Sequence, residues 1–248
     1  MTPSQNEGPA IDQSSVGNLL LAVLETEDFA ALAPYLQRIS LELDSTLARA
    51  GEPIDEICFP EAAVIGLVDV LDSGQRLATA LSGREGFIGW PLVLGSDRWP
   101  HEAVVRAQQG TALKIKAADL LAVMDMRPGI RTVLLRYAMT LVAQMTRTIV
   151  SNLIHPVDRR TARWLLLYHD RVEGDEITIT HEELGIMLGV RRSTITDALH
   201  QLEGNGALRG HRGRVVICDR DQLETLAGET YGFAEREYAR LLLKSVVT

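Results

Sequence analysis

Residues 177–219 read ITITHEELGIMLGVRRSTITDALHQLEGNGALRGHRGRVVICD, and this stretch decides the fold. Thr180 is followed three residues later by Glu183, the spacing of a capping box in which each side chain satisfies an orphan backbone N–H. The helix that starts there is amphipathic, with Leu184, Met187 and Leu188 on one side. Gly189 can take the left-handed backbone that ends a helix, and Val190 fills the angle to the next one. A second helix is expected from about Arg192 to Glu203. Its inward side carries Ile195, Ala198, Leu199 and Leu202. Arg191, Arg192, Ser193, Thr194, Thr196, Asp197 and His200 are left to face outward or to line the helix start. Gly204-Asn205-Gly206 breaks the helix, and residues 208–217 alternate like a hairpin whose tip is basic. The pattern is a winged helix-turn-helix.

A recognition helix meets base edges with its N-terminal residues, and arginine can donate two hydrogen bonds to guanine O6 and N7. Arg191 and Arg192 hold that end. Ser193, Thr194 and Thr196 suit a phosphate or a base edge, and Asp197 suits cytosine N4 or an arginine partner. Together with Thr180, His200 and the wing residues Arg209, His211, Arg212 and Arg214, they form the candidate DNA-binding set. The competing reading is a trihelical unit that serves only protein contacts. It requires the capping box, glycine turn, arginine pair and basic wing all to be coincidences.

A formal net charge of −8 argues against a nucleic-acid binder until its distribution is considered. Between Gly189 and Val216 stand five arginines and two histidines against two acids, Asp197 and Glu203. An acidic body with one basic patch would orient itself on approach to DNA.

Upstream, residues 16–36 read as one or two short helices with a break near Pro34. From residue 39 to 115 the runs ISLEL, EICF, AVIGLVDV, RLATALS, AVVRA and ALKI alternate with turn residues such as Ala50-Gly51-Glu52-Pro53 and Asp72-Ser73-Gly74. Short strands at even spacing predict an antiparallel sandwich or jelly roll. Helical spacing takes over from about Ile130 to Leu153. Leu135, Met139, Val142, Ile149 and Leu153 make a heptad-like seam, with Leu134, Ala138, Leu141 and Met145 alongside. A helix of about 24 residues spans about 36 Å, more than a small sandwich covers, which favours a partner chain. Packing on its own β domain is the alternative. Pro156 marks a junction, and another helix is expected over 157–169 with Ala162, Trp164, Leu165 and Leu167 inward.

A β-roll, a long helix and a winged helix-turn-helix in that order resemble the Crp/Fnr family of bacterial transcription regulators over nearly the full length. The resemblance implies an α+β fold: an N-terminal antiparallel β-roll of the cyclic-nucleotide-binding kind, a dimerisation helix and a DNA-binding domain. On this reading residues 1–15 are disordered or flexible, 16–126 are the effector-domain-like roll with flanking helices, 127–155 the dimerisation helix, and 156–248 the DNA-binding domain with C-terminal helices. The implied partners are double-stranded DNA, a second copy of the chain, and RNA polymerase as a candidate.

The implied effector is less simple. Cyclic-nucleotide members of the family hold ribose through a glutamate and phosphate through an arginine. Here the matching runs are Gly86-Phe87-Ile88-Gly89-Trp90-Pro91-Leu92 and His101-Glu102-Ala103-Val104-Val105-Arg106-Ala107. Trp90 replaces the glutamate, and His101 and Glu102 replace Arg-Ser. Loss of the cation and gain of a carboxylate read against cyclic nucleotide. Arg98 and Arg106 are the remaining cations nearby. Gly89, Trp90, Pro91, Arg98, His101 and Glu102 thus outline a degenerate effector pocket, with Trp90, Pro91 and Trp99 either lining a pocket for an uncharged effector or filling it.

Cys58 and Cys218 cannot supply the cysteine ligands of an iron–sulfur cluster, and Cys58 reads as a small buried hydrophobe. His101 and His155 are haem-ligand candidates by residue type alone, so haem or another small effector stays open while no cofactor or metal is expected. No nucleophile elbow, Walker, HExxH or dinucleotide motif appears, so an enzyme is not expected. A ligand-binding regulatory module without DNA-binding activity is the alternative function. No apolar run reaches membrane-spanning length, and with two scattered cysteines the expected setting is the cytoplasm.

Overall fold

A computed structural model describes residues 11–243. Most of the stretch expected to be flexible lies outside these residues. Its end is held in place: Asp12 caps a short 3-10 turn at Gln13–Ser15, and the Gln13 amide donates to the carbonyls of Leu21 and Leu24. Two short helices follow, α1 (Leu19–Ala22) and α2 (Thr26–Leu32). Asn18 caps α1 and sends its amide to the carbonyls of Pro60 and Gly86, tying the entry segment to the roll.

The roll contains seven strands: β1 (Gln37–Leu41), β2 (Thr46–Ala48), β3 (Glu56–Pro60), β4 (Val64–Val70), β5 (Arg76–Ser82), β6 (Glu102–Arg106) and β7 (Gly110–Lys116). They form two antiparallel sheets, ordered β1-β7-β3 and β2-β6-β4-β5. A four-residue helix, α3 (Trp90–Val93), interrupts the strands between β5 and β6. Alternation sends Phe59, Leu67, Val105 and Leu113 into one core, where Phe59 stacks on Phe87 at 5.7 Å between ring centroids. The six apolar runs correspond to six of these strands. The short β2 was not expected.

Helix α4 (Ala117–Met126) follows β7 directly and flanks the roll, although helical spacing was read only from about residue 130. Its buried positions, Ala117, Leu120, Val123 and Met124, keep helical spacing and were a readable signal. Next come α5 (Pro128–Ile154) and α6 (Val157–His169), separated by His155 and Pro156.

Helix α5 has two apolar faces. Leu134, Ala138 and Leu141 are buried against the roll, while Leu135, Met139, Val142, Ile149 and Leu153 are exposed. The buried side packs on the roll, as one of the two readings expected; the other side is the heptad-like seam.

The C-terminal unit holds β8 (Glu176–Thr178), α7 (His181–Leu188), α8 (Arg192–Gly204), β9 (Leu208–His211), β10 (Arg214–Ile217) and α9 (Arg220–Ala227). Its core includes Trp164, Tyr168, Leu184, Ile195, Leu199 and Val215, and it also takes in Val64, Ala78 and Leu81 from the outer face of the roll. Helix α10 (Phe233–Tyr238) was expected to group with the DNA-binding domain. With the π-helical segment Ala239–Leu243 that follows it, α10 instead runs back along α5, and Leu242 is buried in the roll core. No described helix is long and apolar enough to cross a membrane.

Candidate nucleic-acid interface

The capping box forms as the sequence requires. Thr180 Oγ1 accepts from the Glu183 amide at 3.1 Å, and the Thr180 amide donates to Glu183 Oε2 at 2.7 Å. Gly189 ends α7 in the left-handed region at φ 66°. Gly185 is also tightly placed, because a Cβ there would sit 3.0 Å from the Val190 carbonyl oxygen. The turn between α7 and α8 closes this tightly only with glycine at both places.

Helix α8 turns Ile195, Ala198, Leu199 and Leu202 into the core. Arg191, Arg192, Ser193, Asp197 and His200 are exposed, and Thr194 and Thr196 are half-buried. The Thr196 hydroxyl is already engaged, donating to the Arg192 carbonyl at 3.1 Å and meeting His181 Nδ1 at 2.9 Å. His181 was not anticipated at this surface. Partial burial, with Arg192 and His200 nearby, pushes its pKa below the usual histidine range, so the imidazole stays neutral near pH 7.

Strands β8, β10 and β9 form a three-stranded antiparallel sheet in that order, with Arg214 opposite His211 across the hairpin. The hairpin was expected; the third strand, β8, which begins at Glu176, was not. From there Glu176 pairs with Arg214 at 3.2 Å. Glu203 accepts from the Gly210 amide at 3.2 Å, fixing the end of α8 to the wing. Arg209, His211 and Arg212 stand exposed.

Among the described residues, Arg191, Arg192, Arg209 and Arg212 make no ion pair, and Asp197 does not pair with an arginine. Four unpaired guanidinium groups therefore lie on one unit, two at the start of α8 and two on the wing. Thr180 is placed differently from the rest. Its side chain is committed to the cap, and it lines a cleft facing Asp44, Arg76 and Arg106 of the roll. A second cleft puts Gly74 and Gln75 of the β4–β5 hairpin beside Arg191 and Arg192.

The aromatic residues of the degenerate pocket pack on one another. Trp90 donates through Nε1 to His101 Nε2 at 3.0 Å, and the two rings stack at 5.9 Å. Trp99 and His101 are each 6% exposed. His101 Nδ1 faces the Glu102 carbonyl at 3.3 Å. Both ring nitrogens are thus engaged, and burial pushes the pKa of His101 down. Gly89 and Pro91 sit at the start of α3, with Gly89 against Ile57. Glu102 pairs with Arg76. Neither remaining cation points into the pocket: Arg98 donates to the Gly51 carbonyl at 2.8 Å, and Arg106 pairs with Asp44 and lies 3.6 Å from Glu183 of α7.

His155 lies elsewhere, at the end of α5 near Ser151 and Thr230. Cys58 is buried, and its thiol is pushed up to about 12 by that burial. Cys218 is exposed beyond β10. Among the described residues, no cluster of three or more His, Cys, Asp or Glu could hold a metal ion.

The Crp-like helix-turn-helix domain family matches residues 159–226, the span from α6 to α9. Comparison with curated proteins finds no matching relative. Solved structures agree on the fold. FixK2 from Bradyrhizobium japonicum superimposes with a TM-score of 0.67 at 16% identity, covering 78% of this chain and 98% of FixK2. The c-di-GMP-responsive regulator CLP of Xanthomonas campestris gives 0.65 at 16% identity, over 78% of this chain and 99% of CLP. A CooA mutant from Carboxydothermus hydrogenoformans gives 0.62 at 12% identity, over 91% and 98%. Residues 159–226 thus match a Crp-like helix-turn-helix domain, and the chain shares the fold of these solved structures.

Proposed function

We propose that two copies of the chain bind a palindromic operator, each copy reading one half-site with Arg191 and Arg192 and gripping the backbone with Arg209, His211 and Arg212. The observation that carries this is the set of four unpaired, exposed arginines on one winged unit. An arginine already paired with a carboxylate would have to break that contact to bind phosphate. These four need not. Arg214 contributes less, because Glu176 competes for it. Ser193, Thr194, Asp197 and His200 complete the reading surface.

The exposed seam of α5 supports the pairing. Met139 and Ile149 are 54% and 60% exposed, and burying such a side chain fully is worth roughly 1.5–3 kcal/mol. Residues 127–155 then serve as the dimerisation helix and residues 16–126 as the roll. In this reading cyclic AMP is not the controlling ligand, because Trp90, Trp99 and His101 occupy the roll position and the nearby arginines Arg76, Arg98 and Arg106 are bonded to Glu102, the Gly51 carbonyl and Asp44. The protein acts in the cytoplasm, and RNA polymerase is the partner through which binding alters transcription.

Selection from a random duplex pool, followed by footprinting, tests this function. A two-fold symmetric footprint with half-sites about one helical turn apart is the expected result. Recovery of no preferred sequence would contradict it.

A further inference from the structure

A cavity of about 200 Å³ lies where the roll, α5 and the returning C-terminal helix meet, away from both the winged surface and the Trp90–His101 cluster. Leu19, Leu141 and Ala234 give it an apolar wall, and Arg84, Glu235 and Tyr238 supply the polar groups that matter. Tyr238 Oη is buried without a hydrogen-bond partner. Buried hydroxyls are nearly always satisfied, so this one points to a missing partner in the cavity.

The charges around the cavity fall into two classes. Glu85 is held by Arg171 at 2.8 Å, and Asp170 by Arg220 at 2.7 Å and by the Tyr231 hydroxyl. Arg84 and Glu235 make no ion pair among the described residues. Arg84, exposed at the rim, and Glu235, whose charge also acts on Arg171, thus lack a direct ion pair, and the Tyr238 hydroxyl is unmatched beside an apolar wall. The complement is a small molecule with a carboxylate, an ammonium group and a short apolar body. Size narrows the choice: an apolar cavity of about 150 Å³ holds benzene, with its six non-hydrogen atoms, so this one of about 200 Å³ takes roughly eight and is too small for a nucleotide.

We propose that this cavity binds a free aliphatic amino acid, its carboxylate paired with Arg84, its ammonium group with Glu235, and a hydrogen bond to Tyr238. Gln144 and Arg171 also line the cavity. Gln144 is bonded to the β5 backbone, and Arg171, at the end of α6, is bonded to the roll through Glu85. An occupant thus touches groups that join the roll to the winged unit, and its effect on DNA affinity rests on the function proposed above.

The test is calorimetric titration of the full chain with each of the twenty amino acids, together with the N-acetyl and amide derivatives of any that bind. One or more aliphatic amino acids should bind one per chain. Acetylation or amidation should each weaken binding at least tenfold, as should Arg84→Gln and Glu235→Gln. Thermal unfolding of the ligand-free variants checks that they fold, and Tyr238→Phe, which removes only the hydroxyl, should weaken binding by a smaller factor. Binding by none of the twenty, equal binding of the blocked derivatives, or affinity unchanged in both charge variants would overturn the proposal. The readout needs no DNA, so failure of the operator reading leaves this result interpretable. Operator affinity with and without the bound amino acid then tests the coupling.

Discussion

Gln144, in the middle of α5, hydrogen-bonds the backbone of Leu81 in both directions: its Oε1 accepts from the Leu81 amide at 2.7 Å and its Nε2 donates to the Leu81 carbonyl at 3.2 Å. Strand β5 is the edge of its sheet, and the side chain supplies the partner that a further strand would have supplied. On the other side, Arg163 of α6 donates to the Gln144 carbonyl at 3.2 Å, the Thr148 hydroxyl at 3.1 Å and the Thr230 carbonyl at 3.0 Å. Arg163 is 2% exposed, and burial lowers its pKa to about 10. Roll, long helix and winged unit are joined through these two residues.

Replacing Gln144 by alanine leaves the Leu81 amide buried without a partner. The expected loss of stability is about 1–3 kcal/mol, read as a lower urea midpoint. A midpoint unchanged from wild type would show that the contact contributes nothing.

Thr180→Ala removes the cap of α7 and should cost about 1 kcal/mol, with Thr180→Ser recovering most of it. Because Thr180 faces the roll-side cleft, its loss should not alter the order of preference among DNA sequences. A changed base preference at constant stability would put Thr180 on the DNA after all.

The seam on α5 predicts a dimer in sedimentation at micromolar concentration. The double variant Met139→Glu, Ile149→Glu should be monomeric with helix content intact, since both side chains are exposed in the single chain. A wild-type chain that sediments as a monomer contradicts the pairing.

His101 gives a pH dependence whose sign is set by burial. Its folded pKa lies below the unfolded value of about 6.5, so the unfolded chain takes up a proton first as pH falls. Stability is retained above that value and lost below it. Protonation would also remove the acceptor for the Trp90 indole N–H. Comparing urea midpoints at pH 7.5 and 5.0 for wild type and His101→Gln isolates this contribution from the other histidines. The wild type should lose more stability than the variant, and equal losses would show that His101 is not the group responsible.

The winged motif was legible because its determinants are local. A cap, a glycine turn and an alternating hairpin all act within a few residues of one another. The strands of the roll announced themselves by alternation, and α5 by its period. Contacts across long sequence separations left no such trace. Nothing near Gln144 identifies Leu81, 63 residues away, as its partner. The apolar spacing of α5 could not say that one stripe would face the roll and the other solvent. The three-residue strands β2 and β8 are too short to show a period, and they form because a neighbouring strand offers hydrogen bonds. Thr180 was grouped with the DNA-facing residues by its position in the motif, yet the orientation of α7 against β5 decides which way it points. The cavity at Tyr238 depends on α10 returning to α5, a path that local propensity does not encode.

The central claim is that Arg191 and Arg192 read bases while the wing holds phosphate. The most direct measurement is the affinity of the full chain for its selected operator and for random duplex over a salt series, in wild type, Arg192→Ala and Arg212→Ala. Affinity should fall steeply with salt. Arg212→Ala should weaken both duplexes alike and reduce the log–log slope by about 1, while Arg192→Ala should cost about 1–3 kcal/mol on the operator and relax the choice at one base position. Binding to no duplex in a salt-sensitive way, or an operator-to-random ratio unchanged by Arg192→Ala, would contradict the account.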